Sequence, residues 1–458
     1  MAIATSAATN SARRPRGDGT PAIGFDAPPP ARDDREAHRR YFDAVRGASA
    51  ALAAPLSAED MQVQSMADVS PTKWHLAHTS WFFETFILKP HSAGYAPFHE
   101  AYEVLFNSYY NAIGEQFSRP HRGLLSRPSI ADIRAYRAHV DRAMAALIES
   151  ASQTLWRTLQ PLLVMGVNHE QQHQELILMD IKHVLSQNPL KPAAYPDIET
   201  AEPSDTVTMG WTGFEGGRVS LGAERERFAF DNEGPRHEAL LYPFELGTRL
   251  VTNGDFLAFI EEGGYREPRF WLSDGWAQIT QEGWTAPLYW RRDEHGVWQE
   301  FTLHGERPLD PARPLTHISF YEAAAYADWA EARLPSEAEL EVATRACGDL
   351  EAANLLDVDP AGHGPASEVR PRAAERDGLG QLVGDVWQWT RSAYAPYPGY
   401  RASAGAVGEY NGKFMCDQWV LRGGCCATPR GHIRASYRNF FPSPARWAFS
   451  GLRLARDA

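Results

Sequence analysis

His169-Glu170-Gln171-Gln172-His173 lies within the apolar-periodic stretch Leu162–Leu185, and its reading decides the first half of the chain. Two histidines four residues apart, on a helix of about 3.6 residues per turn, stack on one face and can address one metal ion. Glu170, Gln171, Gln172, Gln174 and Glu175 crowd around the pair in a helix whose other positions are mostly apolar, which favours a site over a solvated face. Two imidazoles hold a divalent ion weakly, so a third ligand is expected. The string also matches the H-E-x-x-H signature of zinc peptidases, in which Glu170 would be the base.

Outward from this helix the pattern stays helical. Apolar residues recur every three or four positions over Arg35–Leu52, Pro71–Leu88, Ile130–Leu159 and Leu162–Leu185, with Pro, Ser or Asp as punctuation. Four such segments predict an up-and-down bundle over residues 36–188. Ser70-Pro71-Thr72-Lys73-Trp74-His75-Leu76-Ala77-His78 opens the second segment, with Pro71 at the helix start, and His78 is the candidate third ligand. His75 and His183 read as satisfied core residues.

Residues 1–35, rich in Ala, Pro, Arg and Gly, read as a mobile tail, and the proline- and acid-containing stretch 189–210 as a linker. Residues 211–458 change character, with short β-like runs, frequent Gly and most of the tryptophans. Helices are expected there only at Tyr321–Ala332 and Ser336–Arg345. This predicts an α+β domain held by aromatic packing.

A chain of 458 residues is too long for one ordinary core. Its net charge of -13 opposes a nucleic-acid partner. No apolar run approaches the roughly 18 residues of a membrane span. Arg13, Arg14 and Arg16 precede no apolar segment, so no secretory signal is read, and four poorly spaced cysteines predict a reducing cytoplasm.

Several motifs fall in order: Trp74–His78, His169–His173, Phe106-Asn107-Ser108-Tyr109-Tyr110, Arg119–Pro128, Gly384–Thr390, Gly408–Met415, Leu421–Gly424, Tyr437–Phe441 and Gly451–Asp457. From about residue 36 to the end the chain resembles the EgtB family, iron(II)-dependent sulfoxide synthases of ergothioneine biosynthesis. The resemblance implies a multidomain α and α+β protein, with a DinB-like four-helix bundle followed by a formylglycine-generating-enzyme or C-type-lectin-like domain. It implies Fe(II) on His78, His169 and His173, O2 as co-substrate, and joining of a sulfur or selenium donor to the imidazole C2 of hercynine. A third His in place of the usual carboxylate leaves such a site one charge more positive, which favours an anionic thiolate or selenolate.

The resemblance also assigns neighbours. Gln172 would hydrogen-bond the hercynine imidazole, Asn439 its carboxylate, and Phe440 and Phe441 would approach its trimethylammonium through cation–π contact. Tyr109 and Tyr110 match tyrosines near the metal, one of which supplies a proton. Arg119 and Arg122, three apart, suit a carboxylate clamp.

Three departures bear on the donor. Phe440 and Phe441 replace the Trp-Asp pair of branches that use γ-glutamylcysteine, Gln388 stands where Glu is expected, and Cys425 where Ser is expected. A cysteine-like thiol, or the selenosugar used by the related selenoneine synthases, is therefore expected instead. The expected partners are small molecules only, with no nucleic acid and no membrane. Two rival readings are a zinc metallopeptidase on His169, Glu170 and His173, and a non-catalytic lectin-like binding module.

Overall fold

The computed structural model describes residues 31–195, 206–224, 227–359, 362, 364–375, 378–402 and 405–458. The tail expected over 1–35 lies outside the described residues as far as residue 30, and the expected linker does so over 196–205.

Four helices build the first half: α1 (Arg35–Ala53), α2 (Thr72–Phe83), α3 (Ile130–Ser150) and α4 (Gln153–Ser186). Side chains satisfy their first free N–H groups. Asp34 accepts from Ala37 N, Ser129 and Asp132 form a capping box, and Ser152 accepts from Leu155 N. Every residue of α2 is buried, including Lys73, His75, His78, Thr79 and Ser80. A helix wrapped on all sides must pair its polar groups internally. It continues through one π-helical stretch, Glu84–Leu88.

The sequence pattern places a break near Pro161, and the structure moves it. The chain turns at Ala151 and Ser152, and α4 runs unbroken through Pro161. Proline removes one helical hydrogen bond, but Trp156 and Leu159 before it and Leu163 and Val167 after it enter the same core, so packing overrides the local cost. Farther along α4, Gly166 allows close approach of α2: a Cβ there would lie 2.4 Å from Phe83 Cε1. Gly166→Ala is therefore expected to lower stability by about 1–3 kcal/mol, as overpacking does, despite alanine's better helix propensity. Urea denaturation checks this, and an unchanged or stabilised variant refutes it.

The second half carries the α+β architecture that the aromatic-rich sequence predicts. Its main sheet has the order β5 (Asn439–Pro442), β4 (Gln418–Arg422), β3 (Trp387–Ala393), β6 (Ser450–Gly451), and β5 pairs antiparallel to β4 with Asn439 opposite Leu421. A three-stranded sheet joins β1 (Trp211–Phe214), β2 (Phe244–Gly247) and β7 (Ala455–Asp457), which ties the last strand to the start of the domain. The two expected helices are present at Phe320–Trp329 and Glu337–Cys347. Two more, Asn253–Glu261 and Ser273–Glu282, were not anticipated. The first had a readable signal, the Thr252/Asp255 capping box ahead of an apolar run.

α4 is the shared wall. One side packs on α1 and α2, while Trp387 and Thr428 of the second domain donate to its Glu175, each at 2.6 Å. Among the described residues no helix is long and apolar enough to cross a membrane, and all four cysteines are free.

Candidate metal centre and substrate cavity

His78 of α2 and His169 and His173 of α4 bring one ligand atom each to within 4.8 Å of one another, all three buried. Their partners determine which nitrogen is available. His78 Nδ1 donates to the Phe106 carbonyl at 2.6 Å, leaving Nε2 with its lone pair. Asp180 Oδ2 accepts from His75 Nε2 at 3.0 Å, and a ring that carries its one hydrogen there has Nδ1 as an acceptor for the hydrogen of His173 Nδ1 at 2.8 Å. His173 Nε2 is thereby left bare. Such outer partners fix the tautomer and raise ligand basicity.

His169 Nε2 faces His78 Nε2 at 3.2 Å, while its buried Nδ1 has no partner among the described residues. Two nitrogens bound at right angles to one divalent ion, with bonds of about 2.1 Å, would be about 3 Å apart. Burial pulls His169 down to about 3 and moves His78 and His173 well below the ordinary imidazole range, so all three stay neutral, the form that binds metal. The donor set thus fits a transition-metal ion such as Fe(II).

His75 is more than the core residue its sequence context implies. The signal was its i, i+3 relation to His78, together with Asp180 seven residues beyond His173 on one face of α4. Asp180 also accepts from Ser70 N at 2.8 Å and from Trp447 Nε1 of the second domain at 3.2 Å. His75→Leu removes the acceptor for His173 and is expected to weaken metal binding about 10- to 100-fold. His75→Asn, whose amide oxygen can replace Nδ1, should retain most of it. Anaerobic Fe(II) titration measures both, and equal affinities for the two variants would refute the assignment.

The polar residues around the histidine pair divide by direction. Gln171 accepts from Tyr41, and Gln174 donates to the Val45 carbonyl and to Ser49, so both bind α1. Glu170 is fully buried and gripped by Arg46 at 2.8 Å and Arg137 at 3.0 Å. Burial alone would raise its carboxyl, but the two guanidiniums outweigh this and hold it at about 2. A carboxylate so engaged cannot serve as the base of a peptidase, which removes the chemical content of that rival reading.

Gln172 and Glu175 face the second domain instead, and both line a cavity of about 500 Å³. His173, Tyr109, Arg119, Arg122, Gln172, Asn439, Phe440 and Phe441 all line it. Arg122 lies 3.4 Å over the Trp74 ring and donates to Ser70 Oγ at 2.9 Å, while its Nε has no partner among the described residues. Burial, then the nearby Arg119 charge, pulls Arg122 down to about 9. Arg119 donates to the Asp68 carbonyl. Phe440 stacks on Tyr394 at 4.0 Å, and Phe441 packs on the edge of Trp447 at 5.6 Å.

Tyr110 does not join this wall. It is fully buried behind Tyr109, with ring centroids 4.9 Å apart, and packs against Trp81 and Phe86. Tyr410, from the Gly408–Met415 motif and given no role on sequence grounds, lines the cavity and meets the His169 ring at 5.6 Å. Burial raises the phenols of Tyr109 and Tyr410, so both keep their protons at neutral pH.

Two of the three departures lie off the cavity. Gln388 is fully buried and pairs with Arg453 and the Leu382 carbonyl. Cys425 is likewise buried, 3.4 Å from Thr428 Oγ1. Neither lines the cavity, so neither bears on the donor by contact, whereas Phe440 and Phe441 do line it.

Known proteins share both halves. The DinB superfamily matches residues 41–177, and the sulfatase-modifying factor enzyme 1-like domain matches residues 198–458. The hercynine oxygenase of Mycolicibacterium smegmatis is 32% identical over 416 residues, covering 85% of this chain and 91% of that protein. The hercynine oxygenase of Mycobacterium tuberculosis is 33% identical over 415 residues, with the same coverage. The formylglycine-generating enzyme of Streptomyces coelicolor is 28% identical over 312 residues, 58% of this chain and 96% of that protein. It lacks the full-length correspondence that the two mycobacterial enzymes have. With both domains matched in the same order and nearly the whole of each mycobacterial relative covered, the chain belongs to the hercynine oxygenase family and is an enzyme of the oxidoreductase type.

Proposed function

We propose that this enzyme uses Fe(II) and O2 to join a sulfur or selenium donor to the imidazole C2 of hercynine. The observation that carries the reading is the convergence of three neutral, buried imidazoles beside a cavity walled by both domains. Bound at His78, His169 and His173, Fe(II) supplies the redox chemistry with O2.

The chain's own groups bind, orient and hold protons. Gln172 Oε1, buried without a partner among the described residues, accepts the imidazole N–H of hercynine. Asn439 takes the carboxylate, and the rings of Phe440 and Phe441 take the trimethylammonium. Arg119 and Arg122 hold an anionic part of the donor. Tyr109 is the proton source, with Tyr410 a second phenol on the same wall. Aromatic walls exclude water from the reacting groups.

Phe440 and Phe441 leave the free amine of a γ-glutamyl arm without its acid, so the donor is a cysteine-like thiol or a selenosugar. Asn232 Oδ1, buried on the cavity wall without a partner among the described residues, suits a sugar hydroxyl, while the paired guanidiniums suit the carboxylate of cysteine. The test is anaerobic loading with Fe(II), then aerobic incubation of hercynine with cysteine, γ-glutamylcysteine and a selenosugar in competition, with products read by mass spectrometry. A product from γ-glutamylcysteine alone would sink the donor assignment. No hercynine-derived product under any condition would sink the function.

A further inference from the structure

Gln172 Nε2 donates to the Tyr437 hydroxyl at 2.5 Å, and its Oε1 has no partner among the described residues on the cavity side of α4. An amide held by that contact alone could turn over and present N–H where an acceptor is needed. The orientation is set farther back. Asn168 Nδ2 donates to the Val164 carbonyl at 2.9 Å, so Asn168 Oδ1 is the atom facing His432 Nδ1 at 3.2 Å. Arg434 Nη1, a donor, approaches the same oxygen at 3.5 Å.

His432 Nδ1 must then carry the ring hydrogen, which makes Nε2 an acceptor. The Tyr437 hydroxyl lies 3.2 Å from that Nε2 and gives it its hydrogen. What Tyr437 has left for Gln172 is a lone pair, which only an N–H can satisfy. Asn168, His432 and Tyr437 are all buried, so water does not compete for these contacts.

We infer that Asn168, His432 and Tyr437 form a one-way hydrogen-bond chain that locks the Gln172 amide with Oε1 toward the cavity, making it an obligatory acceptor for the substrate's ring N–H. These three are positioning residues and act through Gln172. The chain crosses between domains twice: Asn168 and Gln172 sit four apart on α4, while His432 and Tyr437 come from the second domain. Docking of the two halves therefore sets the polarity of the substrate contact. The inference rests on the hercynine-directed function proposed above.

Steady-state kinetics with hercynine as the varied substrate test it. Tyr437→Phe removes the link to His432 and the acceptor for Gln172. It is expected to lower kcat/KM for hercynine about 10-fold, mostly through KM, as loss of one oriented hydrogen bond does. In a Gln172→Ala background the same change should cost less than about 2-fold, since the two act as one unit. His432→Leu should behave as Tyr437→Phe does, whereas His432→Gln, whose amide oxygen can accept from Tyr437, should restore most of the loss. A purely structural role predicts no such dependence on Gln172. Equal costs of Tyr437→Phe in the two backgrounds, in an enzyme that consumes hercynine, would overturn the inference alone. Failure to consume hercynine would overturn it together with the function.

Discussion

His78→Ala is expected to weaken Fe(II) binding by more than about 100-fold and to abolish hercynine turnover. Loss of an outer partner alone costs about 10- to 100-fold in metal affinity or activity, and loss of a ligand must cost more. The position leaves little room for rescue. His78 is fully buried, stacks on Trp74 at 4.7 Å, and is the only one of the three imidazoles that α2 supplies. Without it α4 offers two histidines, which hold a divalent ion weakly. Anaerobic titration with Fe(II) gives the affinity and product analysis gives the turnover. The same variant separates the readings, because a binding module that used its bundle as a scaffold would keep its ligand affinity. Undiminished Fe(II) affinity in the variant would refute the three-histidine centre.

Glu170→Gln is expected to be the most destabilising of the substitutions considered, by about 3–5 kcal/mol, the usual cost of leaving a buried charge without its partner. Glu170 joins three helices: its carboxylate takes Arg46 of α1 and Arg137 of α3 while its backbone belongs to α4. Arg46 keeps Asp141 at 2.7 Å, but Arg137 would be left among the described residues with the Leu76 and Arg46 carbonyls and Thr79 Oγ1, none of them a carboxylate. Denaturant unfolding of the wild type and the variant measures the loss. A peptidase would show the opposite pattern, a stable variant without amide hydrolysis.

The same pair gives a pH dependence. The Glu170 carboxyl lies at about 2 in the folded chain, below its ordinary value of 4.5. A depressed folded value means that the unfolded chain binds the proton more readily. The stabilisation is therefore complete above about 4.5 and is lost as pH falls from there toward 2. Wild type and Glu170→Gln should accordingly differ most near neutrality and converge in acid.

Much of the bundle was legible, because helical periodicity and capping residues are local signals. Arg35 begins α1 and Ile130 begins α3 as the pattern predicts. The misplaced break at Pro161 shows the limit of local rules. Proline's cost is written in the residue itself, but the core that absorbs that cost is assembled from residues far away in the chain. The two unanticipated helices after residue 250 are short, and both lean on the helix Phe320–Trp329 far along the chain, Phe256 and Phe259 on Tyr326 and Gly275 on Tyr321. Periodicity over nine or ten residues is a weak signal in such surroundings.

The candidate site divides in the same way. Two histidines at i, i+4 share a helix face by geometry alone, so the sequence by itself determined that α4 could carry part of a metal centre, and its ordered motifs determined the family. Only the tertiary structure decided that His75 and Asp180 orient His173, that Glu170 belongs to the bundle core, that Tyr110 sits behind Tyr109, and that Gln388 and Cys425 lie off the cavity. The physical reason is that a side chain's protonation, tautomer and direction depend on the groups it meets across the fold. Those groups are brought together by packing between helices and between domains, which spacing along the chain does not encode.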